Sequence, residues 1–284
     1  RGQQGIGITG VVMYSQLTTG KRTHVISKVA EEATAVHVEI GLDTKKNKAI
    51  TRNRKRDHWL DSEGNVIEHG VRVEAAMKAK YQRGKQSVHQ YLRMTSIVNP
   101  HASISLKVYD EEGEIIDEGN WPRVTEVLPR PVQEIRPHPH GQEIGSFQRF
   151  LRDAEARKMT SFLRHNFSGV SMRAAREILD IAGVDEARKP SGINANEAQS
   201  ILSAFKEVKL LSPPTDCLSP IEDLLIKKGL SKAIDSKFVS TITRSPAVAS
   251  GNPFQVEVGL IFGTDIPADS PVEVLRFANR VPLM

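Results

Sequence analysis

The sequence predicts an α+β protein in three regions, and three observations support this prediction. Residues 1–130 combine one clear helix with several runs of alternating apolar residues, which are typical of half-buried strands. Residues 131–210 begin with a proline-rich linker and then become helical. After a second proline break, residues 211–284 return to a mixture of helix and strand. A length of 284 residues suits two or three domains, so we expect one domain for each region.

Periodicity and turn residues predict the elements of the first region. A helix leaves an opening glycine-rich loop and runs from Ile8 to Leu17. A second, short helix is predicted over Gln86–Thr95. The alternating runs predict a largely antiparallel sheet. Its strands are expected around residues 36–42, 66–73 and 104–108, with hairpin turns at 61–65 and 110–114.

Capping residues predict the helices of the second region, and apolar patterning predicts the elements of the third. Ser171 is expected to cap a helix that ends at Gly183, and either Asn194 or Asn196 caps the last helix of the region. The third region is expected to hold a helix at Ile221–Gly229, strands at Phe238–Ile242 and Phe254–Ile261, and the start of a helix at Val272–Asn279.

Composition limits the possible functions. Aromatic residues make up only 5% of the chain, which argues against a surface that stacks single-stranded bases. The single cysteine, Cys217, excludes an internal disulfide and a cysteine-cluster zinc site. No apolar run reaches the ~18–20 residues of a membrane span, so we expect a cytoplasmic protein without membrane contact. A net charge of +5 indicates a modest preference for polyanions.

The first seven residues carry a G-x-x-G-x-G pattern that leads directly into the first helix. Free N–H groups and the positive end of the helix dipole favour a phosphate at such a position, although a plain glycine-rich turn is an equal alternative. The spacing differs from the dinucleotide fingerprint and from the P-loop. Because residue 1 is not Met and no strand precedes the loop, we expect the chain to be part of a longer protein.

Two basic segments are candidates for contacts with DNA phosphates. The run from Lys45 to Arg56 contains no acidic residue, and a solvated hairpin tip is its favoured interpretation over a phosphate-binding role. The loop that contains Lys80, Arg83 and Lys85 is the stronger candidate, because Gly84 would let the backbone approach a phosphate. A basic stripe in the helical region is typical of many surface helices, and His138 with His140 lacks a third metal ligand.

Several sequence blocks, in order from the first residue to the last, resemble the B-subunit family of DNA topoisomerase VI, a type IIB topoisomerase. The resemblance covers the whole chain. The blocks are Arg1–Ile8, Tyr14–Lys21, Val98–Ala102, Pro137–Gly141, Pro213–Pro220, Arg244–Val248, Gly251–Gly259 and Arg276–Leu283.

The resemblance implies a fold and a function for each region. Residues 1–130 would be the rear part of a GHKL-type ATPase domain, residues 131–210 a helix–two-turn–helix domain, and residues 211–284 the start of a transducer domain. ATP with Mg²⁺ would be the cofactor. The partners would be double-stranded DNA, the family's DNA-cleaving A subunit, and a second B subunit, in a heterotetramer of two A and two B subunits. The lid loop around the ATP phosphates would consist of Arg1, Gly2, Gln3, Gln4, Gly5, Ile6 and Gly7.

The family's general base, magnesium-binding asparagine and adenine-reading aspartate are expected upstream of this loop. The lysine that contacts the γ-phosphate is expected beyond Met284. We therefore predict no catalytic residue and no metal ligand within residues 1–284, and no ATPase activity from this chain alone. The alternative function is a non-enzymatic adaptor that grips duplex DNA through the helical region and the basic loops.

Overall fold

The computed structural model describes residues 6–46, 48–263, 266, 269 and 271–284. Within these ranges the chain is a mixture of helices and antiparallel sheets, which confirms the α+β prediction. Its contacts divide it into two compact units, Arg1–Gly84 and Lys85–Met284. The division falls inside the first predicted region.

The first unit is a four-stranded antiparallel sheet with one helix. The predicted opening helix is present, and the sheet has the order β3-β2-β1-β4. Ile26, Ala35 and Trp59 are buried together, with Ile67 packed against them. The strand predicted over 66–73 is confirmed only from Gly70, since Val66 forms an isolated bridge with Leu60. The elements are α1 (Ile6–Thr19), β1 (Thr23–Lys28), β2 (Ala35–Asp43), β3 (Lys48–Asp57) and β4 (Gly70–Glu74).

The second unit begins with a helix and a β-hairpin. Helix α2 (Val88–Val98) starts one residue after Ser87, whose side chain accepts a hydrogen bond from the Gln90 N–H. Strands β5 (Ile104–Tyr109) and β6 (Ile115–Trp121) pair through the predicted turn at 110–114. The proline-rich segment 122–138 has no helix or strand, as expected of a linker.

Four helices form the principal core of the second unit. Phe147, Phe162, Phe167 and Phe205 are almost completely buried at its centre, with ring centroids 5.5–6.3 Å apart. Aromatic rings at such separations contribute beyond their buried area. The helices are α3 (Ile144–Arg152), α4 (Met159–Asn166), α5 (Met172–Ala182) and α6 (Ala195–Glu207), with short 3-10 turns at Pro139–Gly141 and Pro190–Gly192.

The predicted caps of this helical module are confirmed. The Ser171 hydroxyl accepts from the Ala174 N–H, and Gly183 ends α5 with a φ of 67°. Asn194, one of the two candidates, caps α6 in a reciprocal capping box with Glu197.

The C-terminal part of the second unit contains one helix and several short hairpins. Strands β7 and β10 pair antiparallel, as do β8 with β9 and β11 with β12. Ile97 and Val98 of α2 are buried against Ile226 and Leu230 of α7. The elements are α7 (Asp223–Ala233), β7 (Phe238–Thr243), β8 (Ala247–Ala249), β9 (Asn252–Phe254), β10 (Glu257–Phe262), β11 (Phe277–Ala278) and β12 (Val281–Pro282).

The helix predicted over Val272–Asn279 is wrong. Phe277 and Ala278 instead pair with Val281 and Pro282 across a two-residue turn, in which Asn279 and Arg280 have φ of 50° and 64°. Two consecutive positive φ angles suit a tight hairpin. Arginine is a rare residue in that conformation, so its presence gave no indication of a turn.

Candidate functional site

The predicted nucleotide loop lies at the start of α1. Arg1, Gly2, Gln3, Gln4 and Gly5 lie outside the described residues, whereas Ile6 and Gly7 form the first two positions of the helix. The first turn carries no acidic side chain, so the positive end of the helix dipole is uncompensated there. A Cβ at Gly7 would meet no atom within 4 Å. A side chain at Gly7 would therefore meet no described neighbour, and the free N–H groups of a helix start are donors from which an anion can accept hydrogen bonds.

One glutamine anchors α1 to the sheet. The Gln16 carboxamide donates to the Leu42 carbonyl at 2.9 Å and accepts from the Leu42 N–H at 2.8 Å. Leu42 lies two residues beyond Ile40, the last β2 residue that pairs with β1. The Gln16 side chain thus hydrogen-bonds to the β2 backbone beyond the point where pairing with β1 has ended. A Cβ at the neighbouring Gly41 would lie 2.9 Å from Gln16 Oε1, so this contact requires glycine.

The same helix holds the segment that leads into the predicted basic loop. The Tyr14 hydroxyl donates to the Lys78 carbonyl at 3.0 Å, and Thr18 Oγ1 accepts from the Lys78 N–H at 3.4 Å. Thr19 Oγ1 lies 3.4 Å from the Ala76 carbonyl. Helix α1 begins within the glycine loop, and its side chains contact Ala76 and Lys78, in a backbone segment that ends two residues before Lys80. The helix therefore connects the glycine loop with this segment.

The structure places the predicted DNA-contact residues on an exposed segment without helix or strand. Lys80, Arg83 and Lys85 are all exposed. Lys80 and Arg83 belong to the first compact unit and Lys85 to the second. Gly84 has a φ of 154°, and a Cβ there would meet no atom within 4 Å. Glycine is therefore required by the backbone conformation and not by packing. The DNA contact itself stays a prediction.

The interpretation of the run Lys45–Arg56 as a hairpin tip is wrong for most of its length. Only Lys45 and Lys46 lie in the turn after β2, where the Asp43 carboxylate accepts from both of their backbone N–H groups. The remaining cations lie on β3, at the edge of the described sheet. The alternation of apolar residues that marks a half-buried strand is absent from β3, which is why periodicity did not detect it.

The two histidines of the linker are structural. His138 Nε2 donates to the Leu211 carbonyl at 3.1 Å, and its Nδ1 accepts from the His140 N–H at 3.2 Å. His140 Nε2 donates to the Phe205 carbonyl at 2.9 Å. Burial lowers the pKa of His138, and the nearby His140 lowers it further against the opposing effect of the Leu211 hydrogen bond. Among the described residues there is no group of three side chains suited to a metal ion.

The basic stripe predicted on the helical module is partly neutralised. Arg176 pairs with Glu186, and Arg188 pairs with Glu197. Arg188 also donates to the Gly192 carbonyl at 2.7 Å. Two of the stripe's six basic residues therefore have acidic partners. The six are Arg164, His165, Arg173, Arg176, Arg188 and Lys189.

A carboxylate that sequence reasoning missed organises the start of α7. Glu257 accepts hydrogen bonds from the backbone N–H groups of Ile221 and Glu222, at 2.8 and 2.7 Å, and from the Thr243 hydroxyl at 2.9 Å. Glu222 has a φ of 75°. The carboxylate thus satisfies donors ahead of the helix and joins α7 to the β7–β10 hairpin.

Arg280 provides the second missed contact. Its guanidinium donates to the carbonyls of Ser219 and Pro220, at 3.2 and 3.0 Å, and its own carbonyl accepts from Asn99 at 3.1 Å. Burial lowers the pKa of Arg280, and Glu257 acts in the opposite direction. Arg280 thus connects three of the sequence blocks, which span residues 98–102, 213–220 and 276–283.

Comparison with known proteins supports the family resemblance. A family model described as topoisomerase VI B subunit, transducer, matches residues 213–284. The whole chain aligns, at 45% identity, with the B subunit of type 2 DNA topoisomerase 6 from Methanococcoides burtonii. The proteins of the same name from Methanosarcina barkeri and Thermococcus gammatolerans are 42% and 35% identical to it, again over the whole chain. Over its whole length the chain is therefore similar to B subunits of topoisomerase VI, and residues 213–284 match the transducer model of that family.

The chain spans 44% of the length of the first two of these relatives and 56% of the third. The whole-chain similarity confirms the resemblance found in the sequence blocks, and a transducer domain is present at residues 213–284. The GHKL-type ATPase fold of the first region and the helix–two-turn–helix assignment of the second stay predictions. Among the described residues, no helix combines the length and the apolar character that a membrane crossing requires.

Proposed function

We propose that this chain forms part of the ATP-binding subunit of a type IIB DNA topoisomerase. ATP would draw two B subunits together and close a gate behind a captured duplex. The A subunit would make the double-strand break through which that duplex passes, in a cytoplasmic heterotetramer of two A and two B subunits. Repeated cycles would relax supercoils and decatenate DNA.

The observation that carries this proposal is alignment of the entire chain with proteins named as B subunits of type 2 DNA topoisomerase 6. The position of the glycine motif supports the ATP-binding part. The motif precedes a helix whose first turn has no acidic residue, and Gly7 faces open space. These are the properties that a phosphate needs at a helix N-terminus.

Nucleotide binding would act by biasing two states of the gate. The terminal phosphates of ATP, bound with Mg²⁺, supply the negative charge that the lid loop Arg1–Gly7 would surround. As the resemblance implies, we place the magnesium-binding asparagine and the general base outside residues 1–284. A ligand shifts a two-state equilibrium only by its difference in affinity for the two states. Contacts made only in the closed dimer would supply that difference, and hydrolysis would remove it.

A chimera tests the proposal with the complete enzyme. The present sequence replaces the aligned segment of the Methanococcoides burtonii relative, which is then assembled with the A subunit from the same organism. We expect ATP-dependent relaxation of supercoiled DNA. Gly7→Asp would introduce a negative charge at the second position of α1 and abolish nucleotide binding. An acidic residue there should also stabilise the helix by about 0.3–1 kcal/mol, so the loss of binding would not reflect unfolding.

Gly145→Asp is the matched control. Gly145 is the second residue of α3, and a Cβ there also meets no atom within 4 Å. This variant should keep nucleotide binding and relaxation. If the chimera folds and binds duplex DNA in the same way with and without ATP, and relaxes none, the adaptor function is the better one. Equal nucleotide affinity in both glycine variants would contradict the lid-loop assignment.

A further inference from the structure

The segment from the end of β2 through β3 carries the whole charge excess of the chain, although Glu39 earlier in β2 lowers the formal charge of the complete hairpin, residues 35–57, to +4. Residues 43–57 contain seven cations and two acids, a formal charge of +5, which equals the formal net charge of all 284 residues. The rest of the sequence is therefore balanced. The cations are Lys45, Lys46, Lys48, Arg52, Arg54, Lys55 and Arg56.

Most of these charges have no acidic partner. Arg56 pairs with Glu32, and Lys55 with Asp57. The other five cations form no ion pair within the described ranges, although Asp43 and Glu39 lie on the neighbouring strand. Nine of the ten residues of β3 are exposed. The hairpin thus presents a concentrated positive field that the described protein does not neutralise.

A β-bulge arranges these cations along the strand. Arg52 pairs with Glu39 and Lys55 with His37, so Asn53 and Arg54 together face a single residue of β2. Directly paired residues share a face of a sheet, and Lys48 pairs with Asp43. Lys48, Arg52 and Lys55 therefore form a row on one face. Arg54 occupies the bulge beside Asn53, whose φ is 50°.

Protection of the sheet edge does not explain this number of charges. β3 is an edge strand of the described sheet, and proteins block such edges with a charge or a bulge. The bulge at Asn53 already interrupts the edge. Five unpaired cations exceed what edge protection needs, and they indicate a polyanionic partner.

The composition of the hairpin identifies the type of polyanion. Residues 44–57 contain no aromatic residue, and Ala49 and Ile50 are their only aliphatic residues. Stable protein interfaces depend on buried aromatic and apolar anchors, and single-stranded nucleic acids on aromatic stacking. A row of fixed cations without either feature suits the phosphates of a duplex, which are contacted without base recognition.

We propose that the basic edge formed by the β2–β3 hairpin is a second duplex-DNA contact surface, separate from the loop of Lys80, Arg83 and Lys85. This proposal rests on the proposed function, because a type IIB topoisomerase must hold a duplex while its gate closes. The hairpin would contact the phosphate backbone only, so its contribution would be independent of sequence and steeply dependent on salt.

The experiment measures the binding of a fluorescently labelled duplex to the full chain by anisotropy over a series of salt concentrations. The hairpin variant is Lys48→Gln/Arg52→Gln/Arg54→Gln. The matched control, Lys206→Gln/Lys227→Gln/Lys228→Gln, removes the same charge from exposed helical positions. A third variant, Lys80→Gln/Arg83→Gln/Lys85→Gln, tests the predicted loop. Far-UV circular dichroism verifies that each variant is folded.

Each phosphate contact contributes about 0.9 to the slope of log K against log salt, so losing three lowers that slope by about 2.7. Between about 50 and about 200 mM salt, the wild type should then lose about 40-fold more affinity than the hairpin variant does. The control variant should follow the wild type. The loop variant should lose affinity independently of the hairpin.

Different failures are distinguishable. If the hairpin variant matches the control while the loop variant loses affinity, the hairpin inference is wrong and the proposed function stands. If the wild type shows no salt-dependent duplex binding, the hairpin inference is wrong, and relaxation by the chimera decides the proposed function separately. If polyglutamate or anionic phospholipid vesicles of equal charge bind the wild type more tightly than the duplex does, and the hairpin variant loses that binding, the surface prefers another class of polyanion, and the inference is again wrong.

Discussion

The close approach of α7 to α2 allows a stability prediction at a single glycine. A Cβ at Gly229 would lie 2.1 Å from the Ile97 carbonyl oxygen and 3.0 Å from its carbon. The obstacle is backbone, which cannot rotate away as a side chain can. Gly229→Ala would therefore force the two helices apart by about 1 Å or more, since nonbonded heavy atoms settle at about 3.5 Å. Ile226 and Leu230, buried against Ile97, would lose contact.

Two opposing contributions set the size of the stability change expected for Gly229→Ala. Overpacking of a buried contact costs about 1–3 kcal/mol, and a backbone obstacle places this case near the upper value. Replacing glycine by alanine inside a helix returns about 1 kcal/mol. We therefore expect Gly229→Ala to lower the free energy of unfolding by about 2 kcal/mol. Gly145→Ala, where a Cβ meets no atom within 4 Å, should instead raise it by about 0.5 kcal/mol.

The assay uses the distribution of the two tryptophans. Trp59 lies in the first unit, and Trp121 lies in the second, with its ring 5.1 Å from the ring of His89 on α2. In a Trp59→Phe background, urea unfolding followed by Trp121 fluorescence therefore reports on the unit that contains α2 and α7. Far-UV ellipticity is recorded in parallel. The reasoning is refuted if Gly229→Ala is as stable as its parent, or is stabilised as Gly145→Ala is.

Three further predictions concern side chains that join separate elements. Glu257→Ala should lower the free energy of unfolding by about 2 kcal/mol, because it removes the acceptor of two backbone N–H groups. Thermal unfolding and amide exchange at the start of α7 measure this loss. Glu257→Gln keeps one oxygen and should lower the stability less. Burial holds the pKa of His138 below 6.5, so the unfolded chain binds a proton at this histidine more readily than the folded chain does. The contribution of neutral His138 to the free energy of unfolding is therefore complete above pH 6.5 and is lost as the pH falls towards the lower, folded-state pKa. Unfolding measured across this range should therefore show acid sensitivity that His138→Gln reduces, and an unchanged pH profile would contradict the assignment. Gln16→Met should cost about 1–2 kcal/mol and accelerate amide exchange at Leu42, because both of its hydrogen bonds to β2 are lost; unchanged exchange at Leu42 would count against that anchor.

Elements with complete local signals could be predicted from the sequence. Helix α5 has a serine that caps its start, an apolar stripe, and a glycine that ends it, and all three lie within the helix or next to it. Strand β5 shows period-2 alternation in its sequence and in its burial, because one of its faces is partly covered. Signals of this kind act within a few residues, so the rest of the fold has little influence on them.

The elements that were missed or misassigned depend on distant partners. β3 is exposed along nearly its whole length, and its strand conformation comes from backbone pairing with β2, which leaves no apolar pattern to detect. The β11–β12 hairpin requires positive φ at Arg280, a residue held by carbonyls about 60 positions earlier in the chain. Patterns within a short window do not reveal such contacts.

The candidate site divides in the same way. The glycine motif and the loop of Lys80, Arg83 and Lys85 were found from composition and spacing, and their contacts with ligands stay predictions. The connection between them was not predictable. It depends on Tyr14 and Thr18, two ordinary helical residues whose partner, Lys78, lies 60 or more positions away.

The sequence by itself determined the resemblance to topoisomerase VI B subunits, the α+β class, and the caps of α5, because ordered motifs and capping residues are local and survive without knowledge of the fold. Only the tertiary structure decided which charges are neutralised and which remain exposed. Seven clustered cations look alike in a sequence. Folding pairs two of them with Glu32 and Asp57 and leaves five unpaired, two in the turn after β2 and three on the exposed edge strand β3, because ion pairing depends on distances of a few ångströms that long-range packing sets.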